Sequence, residues 1–370
     1  MAHNHFDAFA PSQLLIDLGA IQRNYQRLRQ ELGTVDCAAV VKANGYGLGA
    51  TRVVETLMEV GAKNFFFAHL AEALEVRDNI PTGSFYVFNG LGPKEETTYL
   101  DHNITPVLND LGQLKHWNDF AEQQGTPLHA ALNIDTGMSR LGLCQTEVQQ
   151  LIADPEEFKK LCDPLILSHL CSADDIDSPS NVAQLAEFRQ VTARLPKARL
   201  SFANSSGTFR GKEYHFDLGR PGVALYGVNP TPETTNPMEP VVTVRCRVLQ
   251  TRTIPSNRSV GYGCTYVSDK ETRVATIAIG YADGYLRVRG RRSSVVINGK
   301  KADIIGRVSM DTVTVDVSDF SEEEVHTGSY VSVIDAVHDV DRQAREVGTI
   351  GYEVLTNLGR RYARVYQEPN

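Results

Sequence analysis

The chain has 370 residues, 42% hydrophobic and 22% charged, the balance of an ordinary globular protein long enough for two domains. A formal net charge of −8 gives no footprint for nucleic acid or an anionic membrane, and no apolar run is long enough to span a bilayer or to act as a leader. The six cysteines (37, 144, 162, 171, 246 and 264) form no C-x-x-C pair, which argues against a zinc centre or a disulfide framework and for a reducing, cytoplasmic setting.

Residues 14–17 predict a short strand, with Asp17 as a helix cap. Ile21, Tyr25, Leu28 and Leu32 then recur at helical spacing, and Gly33 stands where a helix stops. A strand over 37–41 precedes a helix carrying Val53, Val54, Leu57 and Met58 that ends near Gly61. Strands follow at 64–68 and 84–88, with a helix at 71–76 between them. Pro93-Lys94-Glu95-Glu96 predicts a helix start, with proline early and acids in the first turn. Further apolar strands are predicted at 104–108, 128–134, 164–169, 199–203 and 223–226, mostly alternating with helices. About eight near-continuous apolar strands imply a parallel sheet covered on both faces, hence a TIM (β/α)8 barrel. A doubly wound open sheet is the alternative and would have to be very wide.

After Pro240 the pattern changes to short, alternating, β-branched strands at 241–250, 274–279, 294–297, 302–305, 312–317 and 330–334, separated by turn pairs such as Asp283-Gly284 and Asn298-Gly299. The expected organisation is a barrel over 12–240 and a mainly β domain over 241–370, with residues 1–16 able to pack with the latter.

In a TIM barrel, chemistry sits at the C-terminal strand ends. Lys42 ends the first strand, in Ala38-Ala39-Val40-Val41-Lys42. It is either a rim lysine whose stem snorkels or a buried amine with a lowered pKa, able to form a Schiff base. Asn133 to Arg140 ends the fifth strand, His169 the sixth and Asn204-Ser205-Ser206-Gly207 the seventh, while Gly219-Arg220-Pro221-Gly222 opens the eighth. Alone, His169 reads as a hydrogen-bonded core histidine and Arg220 as an ion-pairing residue. Glycines and hydroxyls in the seventh and eighth loops occupy the usual place of a barrel phosphate site. A Schiff-base lysine with a phosphate cradle suggests pyridoxal 5′-phosphate.

With these residues assembled, the chain resembles the alanine racemase family over residues 12–365. Ala39-Val40-Val41-Lys42-Ala43-Asn44-Gly45-Tyr46-Gly47 is similar to the family's cofactor-lysine signature, and residues 260–266, around Tyr262, to its second-base segment. Residues 279–284 and 307–311 match two further motifs. The resemblance implies that Lys42 carries the cofactor and serves as one base, with Tyr262 of a second subunit as the opposite base in a homodimer. Tyr46, Asn204, Ser205, Gly222, Val223 and Tyr352 would hold the phosphate end, and Arg220 the pyridine nitrogen. Arg140 and Met310 would receive the substrate carboxylate, with His169 nearby. Tyr281, Arg287, Arg307, Asp174 and Ile350 would line a substrate corridor.

Racemisation needs a proton removed on one face of the α-carbon and returned on the other. A lysine and a tyrosine are both protonated near neutrality in water, so both must be tuned. Arginine at the pyridine nitrogen cannot accept its proton, which implies a weak electron sink and little transamination. Two residues depart from the family pattern. Many members carry a carbamylated lysine where this chain has Asn133, so a chloride ion or a water is expected beside Asn133 and Arg140. Ser201 replaces a histidine near Arg220 and can still accept from it. The expected activity is racemisation of L-alanine to D-alanine, supplying peptidoglycan. The other readings are a broader racemase for serine or lysine, a fold-type III decarboxylase, and a cofactor-carrier protein. No metal is implied.

Overall fold

A computed structural model of the chain describes residues 9–290 and 293–369. They fall into two compact units, one built from 21–225 and 229–239, the other from the N-terminal residues through 20, 226–228 and 240 onward.

In the first unit seven strands lie parallel in chain order: Ala39–Val40, Asn64–Phe67, Ser84–Val87, Ile104–Leu108, His129–Asn133, Cys162–Leu167 and Arg199–Ser201. The segment containing the eighth strand, Leu218–Gly219, closes the ring. On one side Asp217 N–H donates to Leu200 O (3.0 Å) and Arg220 N–H to Ala203 O (2.8 Å); on the other Ala38 N–H donates to Gly219 O and Val40 N–H to Pro221 O, both at 2.9 Å. The result is a TIM (β/α)8 barrel. Its strands lack alternation because both faces are covered: Phe65, Phe66 and Phe67 are all fully buried. The helix Leu18–Leu32 forms as its periodicity implies. Its Ile21, Tyr25, Leu28 and Leu32 face inward, the Asp17 carboxylate accepts Ala20 N–H at 2.7 Å, and Gly33 leaves it at φ 68°.

Two expectations for this unit are corrected. Residues 223–226 are a 3-10 helix, Val223–Tyr226, and not a strand. The run is apolar because it is buried, and the eighth pairing position is already taken by residues 217–221. The helix expected from Pro93 begins at Glu96, spanning Glu96–Asp101, because Lys94 is left-handed at φ 66°. The Glu95 carboxylate instead accepts Gly92 N–H at 2.8 Å.

The second unit is mainly β. Among the described residues its sheet runs Thr272–Ile277, Val313–Asp316, Lys300–Ile305, Ser294–Ile297, Tyr330–Ile334, Val242–Ile254, Ser12–Asp17, Ala363–Gln367. The long strand Val242–Ile254 also pairs with Thr272–Ile277, so the order closes on itself. Asn298 and Gly299, at φ 49° and 79°, make the two-residue hairpin that their sequence implies. Ser12–Asp17 lies between Val242–Ile254 and Ala363–Gln367, within this unit. Residues 1–8 of the segment expected to pack here lie outside the described residues. No helix of the described chain is long and apolar enough to cross a membrane.

At the N-terminal end of the barrel strands, buried Arg77 stacks on Phe85 (3.8 Å) and donates to Ile80 O (3.2 Å), Thr82 O (3.0 Å), Gly83 O (3.0 Å) and Asn103 O (3.2 Å). These carbonyls precede the third and fourth strands. Arg77→Met keeps the apolar stem and strands four acceptors. Urea unfolding is expected to show a loss of about 3 kcal/mol, with turnover preserved below the melting transition.

Candidate active site

A cavity of about 290 Å³ lies among the strand-end loops of the barrel, bordered by Lys42, Phe88, Asn133, Arg140, His169 and Arg220. The strand ends thus bring together the residues expected on loops one, five, six and eight.

Lys42 stands two residues past the end of the first strand, Ala39–Val40. Burial, then the nearby Arg140 charge, lower its pKa, while Glu72 opposes them. Its Nζ sits 6.0 Å from the Phe88 ring, which stacks on Phe66. The next residues, Ala43, Asn44, Gly45 and Tyr46, are all left-handed at φ 53°, 55°, 62° and 55°. Such backbone costs roughly 1–2 kcal/mol per non-glycine residue, so something must hold it.

Arg140 stands at the end of a loop built on Asp135, whose Oδ1 accepts Gly137 N–H (2.9 Å), Met138 N–H (2.9 Å) and Ser139 N–H (3.0 Å). Asn133 Nδ2 donates to Asn109 Oδ1 at 2.9 Å. Gln184, buried on the helix Pro179–Thr192, joins the fifth and sixth loops. It donates to Thr136 Oγ1 (3.3 Å) and His169 O (2.9 Å), and accepts from Cys171 N–H (3.0 Å). Burial and the charges of Arg220, Arg140 and Lys42 push His169 down to about 3, so it is a neutral imidazole at working pH.

Arg220 is buried, donating to Ser201 Oγ (2.5 Å) and Ser168 O (2.6 Å). Ser201 therefore accepts from this guanidinium, as expected. Burial lowers Arg220 to about 9, which still leaves it cationic. Among the described residues its Nε–H has no acceptor. Two residues on, Gly222 admits Tyr46: a Cβ at 222 would lie 2.5 Å from the Tyr46 Oη. Ser205 Oγ accepts Gly222 N–H (2.8 Å) and Ala224 N–H (3.3 Å) at the start of the Val223–Tyr226 turn. Tyr46, Ser205, Gly222 and Val223 thus converge on one place. Asn204 does not share it in the same way. Its Oδ1 accepts Gly207 N–H (2.9 Å) and its Nδ2 donates to Leu170 O (3.3 Å), so its side chain shapes the loop. Asp174 is exposed on the loop beyond the sixth strand.

In the β unit, Tyr262 tips the hairpin formed by Ser259–Val260 and Tyr266–Val267 and is 69% exposed. The Arg307 Nη1 would lie 3.0 Å from a Cβ at Gly263, which places Arg307 against the same turn. Tyr281 N–H donates to Ser309 O (3.1 Å) and Ala282 N–H to Met310 O (3.0 Å), so Tyr281 and Met310 share one corner. Gly280 is required there, since a Cβ would fall 2.2 Å from Met310 O. Arg287, Ile350 and Tyr352 are also exposed. Reading the sequence missed Glu72, Asn109, Asp135 and Gln184. The pair His69 and Glu72 carried a helix-start signal, but nothing local pointed to Glu72's distant partner.

The site fits pyridoxal 5′-phosphate: an amine of lowered pKa, hydroxyls and amides around Gly222, and an unpartnered guanidinium N–H on Arg220. Fold and site together define a barrel enzyme of the pyridoxal-phosphate class. Comparison with known proteins narrows this. The model for the alanine racemase N-terminal domain matches residues 16–230 and that for the C-terminal domain residues 241–366. A catabolic alanine racemase of Mesorhizobium japonicum is 44% identical over 97% of this chain and 94% of its own length. One from Rhodospirillum rubrum is 42% identical, covering 96% of each. The crystal structure of alanine racemase from Bartonella henselae with covalently bound pyridoxal phosphate superposes with a TM-score of 0.93 at 39% identity, over 97% of this chain and 100% of that one. The chain belongs to the alanine racemase family.

The neutral His169 makes stability depend on pH. Unfolded, it takes a proton below about 6.5; folded, it stays neutral down to about 3. Falling pH therefore favours the unfolded chain throughout that window. Between pH 7 and 5 the parent is expected to lose roughly 1–2 kcal/mol more than His169→Gln, the upper figure reduced by the ring's access to the cavity. Urea titrations at the two pH values measure it.

Proposed function

We propose that this enzyme interconverts L- and D-alanine with pyridoxal 5′-phosphate, using Lys42 and Tyr262 of a second subunit as bases on opposite faces of the α-carbon. The observation that carries the reading is the shared cavity of Lys42, an amine biased toward its neutral form, and Arg220, whose Nε–H lacks an acceptor. The cofactor, when bound, withdraws electrons from the α-carbon and so lowers the cost of losing its proton. Lys42 Nζ holds or releases a proton on one face. Arg140 brings a cation to the cavity for the substrate carboxylate. His169, kept neutral, adds no charge against either arginine. Arg220 stays cationic and, placed beside the cofactor's pyridine nitrogen, could not take a proton from it. Tyr46, Ser205, Gly222, Val223 and Tyr352 would hold the phosphate.

A homodimer is the matching assembly. Tyr262, Met310, Ile350, Tyr281 and Tyr352 are between 40% and 69% exposed, a set of large side chains a lone subunit gains little by showing to water. With Arg287, Arg307 and Asp174 they would form the substrate approach. Thiols exposed at Cys144, Cys171 and Cys264 favour a reducing, cytoplasmic compartment. The reaction runs both ways, so supplying D-alanine to peptidoglycan and a catabolic role, the word in the names of several relatives, would use one site.

Borohydride reduction of the enzyme with its cofactor, followed by peptide mass spectrometry, is expected to find the adduct on Lys42. An adduct elsewhere, or none, sinks the assignment. In Tyr262→Ala, α-proton exchange in D₂O is expected to fall at least a hundredfold more for one alanine enantiomer than for the other. Equal loss would rule out two bases on two faces. Where many family members have a carbamylated lysine, Asn133 and Arg140 are expected to hold a chloride ion or a water. Anomalous diffraction from bromide-soaked crystals identifies the ion, and a density map lacking any bound species there removes the idea.

A further inference from the structure

The left-handed turn after Lys42 is closed mostly from within. Gly45 N–H donates to Val41 O, Gly47 N–H to Ala43 O and Gly49 N–H to Asn44 O, each at 2.8 Å. Asn44 Oδ1 accepts Ala50 N–H at 2.9 Å. The peptide N–H directly after the lysine, that of Ala43, is taken from outside the turn: Glu72 Oε1 accepts it at 2.7 Å. The other oxygen, Glu72 Oε2, accepts Ala68 N–H (3.0 Å) and His69 N–H (3.3 Å) at the end of the second barrel strand.

Part of this is ordinary helix capping. Glu72 is the third residue of the helix Leu70–Arg77, and its bond to His69 N–H is what a glutamate does there. The bond to Ala43 is a different matter. It reaches across 29 residues, lies outside the cap, and uses a second oxygen of the same carboxylate. A capping glutamate has no need of it, whereas a strained turn beside a reacting amine does.

We propose that Glu72 is a positioning residue for Lys42: one carboxylate pins the peptide after the lysine to the second strand's end, and so fixes where the amine stands. The inference rests on Lys42 being the cofactor lysine and one of the two bases. Charge is a second effect of the same carboxylate, separate from its geometry. Glu72 favours the ammonium form of Lys42 against burial and Arg140, so the same group that places the amine also limits how far its pKa falls.

Glu72→Gln keeps the size and removes the charge; its NH₂ end meets N–H donors where an oxygen stood. Glu72→Asp keeps the charge but is one methylene too short to span Ala43 and Ala68. Labelling of Lys42 by an amine-reactive reagent in cofactor-free protein, followed across pH by peptide mass spectrometry, reads the amine without the cofactor. In Glu72→Gln its midpoint is expected to fall by roughly half a pH unit or more. Borohydride-trapped attachment of pyridoxal phosphate to Lys42 is expected to slow about fivefold or more, and α-proton exchange to fall several-fold further for one enantiomer than for the other. Glu72→Asp is expected to restore the labelling midpoint and not the attachment rate. An unchanged midpoint in Glu72→Gln, with both enantiomers slowed equally, reduces Glu72 to a helix cap and overturns the proposal. If Glu72→Gln does not fold, Glu72→Asp decides alone: an attachment rate equal to the parent's overturns it. Failure of the parent to attach the cofactor at Lys42 strikes the proposed function instead, while the labelling midpoint still reports on Glu72.

Discussion

Four groups that are cations or proton acceptors in water, Lys42, Arg140, His169 and Arg220, border one cavity of about 290 Å³. Like charges at such range in a partly desolvated space cannot all stay charged, and each yields according to its chemistry. His169, with the lowest intrinsic affinity for a proton, gives it up. Lys42 is pushed the same way to a lesser extent. Arg220 does not yield, because a guanidinium keeps its proton even when burial works against it. What remains is two fixed cations, an amine biased toward neutrality and a neutral imidazole. This arrangement favours ligands with anionic ends and reacts through the amine, which suits a phosphorylated cofactor and an amino-acid carboxylate.

Asp135, a carboxylate bordering this cavity, is engaged by the N–H groups of Gly137, Met138 and Ser139, and the Arg220 guanidinium is held instead by neutral oxygens. Ser201 Oγ and Ser168 O take two of its donors, and Nε–H is left over. A buried donor without an acceptor costs about 1–3 kcal/mol in a protein with no use for it. Barrel closure is what places it there. Residues 217–221 are hydrogen-bonded on both sides, so Arg220 stands at a rigid strand end and not on a free loop. The same segment carries Gly222 to Tyr46 and Ser205. One eight-stranded ring therefore sets the spacing between Arg220 and the Tyr46, Ser205 and Gly222 cluster, with no separate device for each.

Much of this was legible in the sequence, for reasons particular to each residue. Lys42 stood out because a fully apolar strand ended on it, and strand counting then put it at the catalytic end of a barrel. Ser205 followed from the same count, whereas Arg220, expected to open the eighth strand, in fact ends it. Residues 223–226 misled because burial alone makes a run apolar, and a 3-10 turn can be as buried as a strand. Lys94 misled because favourable first-turn chemistry cannot reveal a φ of 66°. The strand Ala363–Gln367 and the hairpin under Tyr262 were too short to carry a period of their own. Glu72, Asp135 and Gln184 were invisible as tethers. Each binds backbone groups, which have no letter in the sequence, and the partners of Glu72 and Gln184 lie on other loops. Tyr262 was reached through family resemblance; as a lone exposed tyrosine between glycines it is an ordinary turn residue.

The β unit raises the opposite question from the barrel, for its important side chains lie on the outside. Exposed tyrosines on a mobile loop would lose much of their value through ordering entropy, yet the turn bearing Tyr281 is firmly tied. Asp283, whose carboxyl is raised by burial and pulled back by Gly280 N–H and Arg361, bonds Gly280 N–H at 2.8 Å and Arg361 at 2.8 Å. Arg361 in turn reaches Asp311 at 2.6 Å, beside Met310. One ion-paired cluster therefore locks the Tyr281 corner to the Met310 corner. Holding an exposed apolar surface rigid gives nothing to an isolated subunit. It does lower the entropy lost when that surface is covered, and that physical argument supports the proposed homodimer, in which these residues would form half of an interface set before its partner arrives.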